Sequence, residues 1–107
     1  MEMTMTYHYK VERKERRELI EKEIGFGQII KKVYHNGTWN CLTDTGIMMI
    51  LDDDQKTIIT AFCPRVGQLK VFYGDPNKAP KAIRKKVYQH ESKYLRDGRM
   101  MTKWGEI

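Results

Sequence analysis

The sequence predicts an α+β fold: an N-terminal helix, a four- to five-stranded antiparallel meander sheet and a C-terminal basic helix. Three observations carry that expectation. Apolar residues keep a helical period up to Gly25 and turn strand-like from Gln28 to Tyr73. They return to a helical period after Asn77. At 107 residues the chain can bury one modest core, so a single domain over 1–107 is expected.

The first helix is expected over "YKVERKERRELIEKEI", residues 9–24. It contains no Pro or Gly, and Glu12–Arg16 and Glu18–Lys22 stand at the favourable i,i+4 spacing. Val11, Leu19, Ile20 and Ile24 form its apolar stripe, and Gly25 and Gly27 end it. "QIIKKVYH" and "TWNCLT" then flank "NG", whose two residues accept the positive φ of a tight hairpin. "GIMMILD" follows the turn "TDTG"; its unbroken apolar run predicts a central strand covered on both sides, or a strand with its outer face in a groove. "DDDQK" is the next turn and "TIITAFC" the next strand, ended by Pro64. "QLKVFY" reads as a further strand with Leu69, Val71 and Tyr73 on one face. Short connections make the meander antiparallel. Asn77 is expected to cap a second helix over 79–97, with Pro80 tolerated in its first turn. Ile83, Val87, His90 and Tyr94 form its inner face. Gly98 would stop it, leaving a tail that is loose or docked through Met100, Met101 and Trp104.

The charge is uneven. Over residues 1–77 eleven basic side chains balance eleven acidic ones, whereas 78–107 hold nine basic against three acidic. The whole net charge of +6 therefore falls on the last segment. Lys81, Arg84, Lys85, Lys86, Lys93 and Arg96 spread over the second helix away from its apolar face. That footprint calls for an acidic partner: nucleic acid, with RNA favoured, or an acidic protein. No apolar run approaches the roughly 20 residues of a membrane helix, so no membrane partner is expected. The opening "MEMTMTYHYK" lacks the apolar core of a signal peptide, which points to the cytoplasm. Cys41 and Cys63 lack CxxC spacing and read as reduced strand residues, a disulfide between them being the other option.

Several chemistries lack their motifs. Asp52, Asp53 and Asp54 have no calcium-loop spacing and read as an acidic hairpin turn. His8, His35 and His90 have no ligand neighbours at zinc spacing. "GFG" is not a dinucleotide fingerprint, and GxSxG is absent. No metal and no cofactor are expected.

The helix "YHYKVERKERRELIEKEIGFGQII" and the following meander, ending in "KTIITAF", resemble the barnase–EndoU–colicin–RelE superfamily of small nucleases and toxins. The resemblance covers about residues 7–73 and lies in order and pattern. It implies RNA cleavage without a metal by an early His or basic residue, an Arg on the first helix and a Ser or Thr on a late strand. His8, Arg17 (or Arg13) and Thr60 occupy such positions. The chemistry needs a base near the ribose 2′-hydroxyl, a cation on the developing phosphorane charge and an acid for the leaving oxygen. His titrates near neutral pH and Arg grips phosphate bidentately. The basic second helix is not a general feature of that superfamily. Two functions therefore stand: a small basic nucleic-acid-interacting protein of microbial or phage type, extending to a metal-independent, toxin-like ribonuclease, or a non-enzymatic binder. The binder would dock on a nucleic-acid machine or an acidic protein and inhibit it.

Overall fold

The computed structural model describes residues 4–95. It opens with β1 (Thr4–Met5), a π-helical turn (His8–Glu12), α1 (Lys14–Leu19) and a second π turn (Ile20–Ile24). Four strands follow: β2 (Ile29–His35), β3 (Thr38–Thr43), β4 (Met48–Asp52) and β5 (Thr57–Phe62). A 3-10 turn (Val66–Leu69), α2 (Lys70–Tyr73) and another 3-10 turn (Pro76–Lys78) lead to α3 (Lys81–His90), which continues as a π turn (Glu91–Leu95). This is an α+β fold with an N-terminal helical region, a five-stranded sheet and a C-terminal basic helix.

The sheet order is β1-β5-β4-β3-β2. β2 to β5 form the expected antiparallel meander. At the "NG" turn, Asn36 (φ 50°) and Gly37 (φ 82°) both adopt the left-handed conformation that a two-residue hairpin requires. In β4 the neighbours Met48 and Met49 are both buried. Successive strand side chains point to opposite faces, so β4 is covered on both sides, as its apolar run predicts.

The fifth strand is not the expected one. β1 supplies it, pairing in parallel with β5 through Thr4↔Thr57 and Met5↔Ile58. The segment 68–73 is helical instead. Leu69 and Phe72 are its buried residues, at i,i+3, while Val71 is 41% exposed. Leu69, Val71 and Tyr73 imitate a strand, but the side chain that needs cover is Phe72, and only a helical turn aligns it with Leu69. The Gln68 side chain starts that turn by accepting the Arg65 N–H at 2.7 Å.

The first helix also packs differently along its stripe. Tyr9 and Ile20 are fully buried and Arg16 is only 7% exposed, whereas Val11 is 48% exposed. Positions 9, 16 and 20 share one face, and Val11 sits about 200° round from Tyr9 at 3.6 residues per turn. The opening turn packs along β5, α2 packs on β2, and α3 packs on the 3-10 turn that follows β5. Asn77 does not cap α3. It lies in the second 3-10 turn, its N–H donated to Asp75 Oδ1 at 2.9 Å. α3 starts later, with Pro80 as the flanking residue. The expected end of the helix beyond Leu95, the Gly98 stop and the tail contacts of Met100, Met101 and Trp104 lie outside the described residues.

Cys41, in β3, and Cys63, just past β5, are free and buried. Burial pushes the Cys63 thiol up to about 12, against the opposing charge of Arg16. Among the described residues no helix is long and apolar enough to cross a membrane.

Candidate nucleic-acid interface

α3 is positioned by the turn between β3 and β4. Gly46 (φ 84°) leaves that turn bare, and even a Cβ there would sit 3.4 Å from His90, Lys86 and Val87 atoms. The close approach allows two bonds to carbonyls of the turn. Lys86 Nζ donates to Asp44 O at 2.8 Å, and His90 Nε2 to Thr45 O at 2.9 Å. On the other flank Arg84 Nε donates to Ala79 O at 3.2 Å, and Glu91 Oε2 accepts the Val66 N–H at 3.1 Å. Ile83, Val87 and Tyr94 complete the seat as buried apolar groups.

What faces outward follows from the same geometry. Ile83, Val87, His90 and Tyr94 point inward, so the opposite side of a 3.6-residue helix carries Lys81, Lys85 and Tyr88. All three are exposed, Tyr88 by 65%. Lys86 and Lys93 are exposed on one flank and Arg84 is half-buried on the other. The single carboxylate between residues 81 and 95, Glu91, is turned toward Arg65, 3.8 Å away. Nothing on the helix itself therefore neutralises Lys81, Lys85, Lys86 and Lys93. Arg96, expected to extend the row, lies outside the described residues.

The residues expected to catalyse have separate partners. His8 Nδ1 lies 2.9 Å from Glu12 Oε2 on the exposed opening turn. Arg17 Nε donates to Lys10 O at 3.1 Å and its Nη1 pairs with Glu21. Thr60 is 6% exposed and accepts a 3.0 Å bond from Arg16 Nη2. A first-helix Arg does reach the late-strand Thr, but it is Arg16, not Arg13 or Arg17. No hydrogen bond joins His8, Arg17 and Thr60. The signal that could have singled out Arg16 is its spacing of seven from Tyr9 and four from Ile20, which puts it in the middle of the buried stripe. Burial, reinforced by the charge of Arg13, lowers the Arg16 guanidinium to about 10, so it remains charged at neutral pH.

A buried cation bonded to a hydroxyl depends on that hydroxyl. Replacing it with a methyl group withdraws an acceptor while keeping the shape. Thr60→Val should therefore lower unfolding free energy by about 1–3 kcal/mol, read as a shift in urea midpoint at constant slope. An unchanged midpoint would show that Arg16 does not depend on Thr60.

The acidic hairpin turn behaves as expected. Asp54 Oδ1 accepts the N–H groups of Lys56 and Thr57, at 2.8 and 3.0 Å, and those bonds hold its carboxyl below the usual range. Among the described residues no group of three or more His, Cys, Asp or Glu side chains could hold a metal. His35 is exposed, beside Asn36. His90, expected on the core face, is only half-buried and lines an open groove beside α3, together with Lys86 and Lys93.

Comparison with known proteins finds no matching family model, no matching curated protein and no matching solved structure. The fold and its charged surface define the class: an α+β domain presenting a cationic helix.

Proposed function

We propose that this protein binds nucleic acid, RNA foremost, through the outer face of α3, and that it acts as a binder rather than a nuclease. The observation behind this reading is the exposed outer face of Lys81, Lys85 and a largely exposed Tyr88, continued on one flank by exposed Lys86 and Lys93. Lysines neutralise phosphates and release counterions, while an exposed ring offers a stacking surface to an unpaired base. Binding is preferred to cleavage because Thr60 is buried beneath Arg16, and His8 and Arg17 each hold a partner of their own.

The test is fluorescence anisotropy of a labelled single-stranded RNA over a series of salt concentrations. Four phosphate contacts would give a slope of log affinity against log salt of about −2.8, at −0.7 per contact on single strands. Absence of binding to RNA and DNA at low salt overturns the reading, and an acidic protein then becomes the favoured partner. The same samples held in EDTA should keep their RNA intact. Cleavage that disappears in a His8→Ala variant would restore the metal-independent ribonuclease as the function.

A further inference from the structure

On the reading that α3 binds RNA, we propose that the groove beside it is a ribonucleotide subsite. It holds one nucleoside of the strand, with the flanking phosphates on Lys86 and Lys93. The groove encloses about 570 Å³ between the end of the first helical segment, at Glu23 and Ile24, and the α3 flank carrying Lys86, His90 and Lys93. That volume lies within the ~300–1,000 Å³ of small-ligand sites. Lys86 and Lys93 are seven residues apart, about 10 Å along a helix axis at 1.5 Å per residue. The flexible lysine side chains can converge from that separation onto the phosphates either side of one nucleoside, whereas a single anion would leave one of them unused.

The other polar groups select what lies between the phosphates. A carbonyl oxygen can only accept, so the bond from His90 to Thr45 O puts the imidazole proton on Nε2. Burial holds His90 below the ordinary 6.5; the bond to Thr45 opposes this, and the charges of Lys86 and Lys93 add to the lowering. The ring is therefore neutral at pH 7, and its Nδ1 is a bare acceptor. A free phosphate would satisfy the lysines but leave the Nδ1 acceptor without a donor. A nucleoside between two phosphates offers anions to the lysines and a donor to that acceptor. Of the donors on a strand, the 2′-hydroxyl is the one DNA lacks. The groove thus makes the protein prefer RNA to DNA.

The experiment compares a single-stranded RNA of roughly ten nucleotides, within the ordinary span of such sites, with the DNA of the same sequence. Both are titrated into the full chain, and into Lys93→Ala and His90→Phe variants. The unmodified protein should bind RNA about tenfold more tightly than DNA, the size of one well-made hydrogen bond. Lys93→Ala should weaken both ligands, and His90→Phe should weaken RNA binding more than DNA binding, so that the preference disappears. In the unmodified protein the imidazole NMR signals of His90 should shift on adding RNA, a readout that stands even where His90→Phe fails to fold. Equal affinity for RNA and DNA, or His90 signals that do not move while RNA is bound, overturns the subsite and leaves the basic-face reading intact. Binding of neither ligand overturns both.

Discussion

Gly27→Ala should destabilise the protein by about 2–4 kcal/mol, from left-handed backbone strain and overpacking together. Gly27 has φ +71°, and a Cβ there would collide with the Asp44 carboxylate and lie 2.8 Å from Thr45 Cγ2. The carboxylate cannot simply swing away. Its Oδ1 accepts the Gln28 N–H at 2.9 Å, and the Asp44 N–H donates to Gln28 O at 2.9 Å. Relief must come from moving the Asp44–Thr45 backbone, whose two carbonyls hold Lys86 and His90. The substitution should therefore loosen α3 as well as lower stability. Gly25→Ala is the control: φ is +82° but nothing lies within 4 Å of the added carbon. It should cost only the backbone strain, about 1–3 kcal/mol, since ψ 143° at that φ lies in a region kept almost wholly by glycine. Urea unfolding separates the two variants, and amide exchange along α3 tests the coupling. Equal losses for the two, or unchanged exchange at α3, would show that the collision is absorbed without moving the turn.

The same turn explains why the fold was more legible in the sequence than the site. Strands β2 to β5 announce themselves locally, through the turn residues "NG", the run in "GIMMILD" and the acids of "DDDQK". Each signal depends on neighbours in the chain. The segment 68–73 failed because a three-residue alternation is compatible with both periods, and what decided between them was the burial of Phe72, a tertiary matter. β1 was invisible for a related reason: two residues carry no period, and Thr4 and Met5 become a strand only because β5 offers an open edge. The cationic face of α3 could be read in advance, since its exposed residues follow from an apolar stripe at helical spacing. The groove could not. Glu23, Thr45 and His90 come from three separate elements, and their meeting depends on how α3 seats against the β3–β4 turn. Arg16 shows the limit most plainly. A cation on an amphipathic helix reads as solvated unless its place between Tyr9 and Ile20 is weighed, and its partner on β5, 44 positions away, shows what buries it.

Reversing two charges on the outer face, Lys81→Glu with Lys85→Glu, should weaken RNA binding well over tenfold at moderate salt. The pair loses two phosphate contacts and adds two repulsions, and phosphate neutralisation dominates such affinities. Stability should change by less than about 0.5 kcal/mol, because both side chains are exposed and neither makes an ion pair or side-chain hydrogen bond among the described residues. Lys86→Glu is a poorer probe, since it also removes the bond to Asp44 O and sets a carboxylate against a carbonyl. A change of four units in net charge could act at a distance, so the decisive comparison holds it constant. Lys56→Glu with Lys70→Glu makes the same change at two exposed lysines outside α3, one in the acidic hairpin turn and one on α2. Screening over a Debye length of about 8 Å at physiological salt should leave that second pair with only a small effect. If both pairs weaken binding equally, the field of the whole molecule attracts the strand and α3 has no special part in holding it. If only the α3 pair does so, the charge concentrated after residue 77 faces a polyanion at that helix.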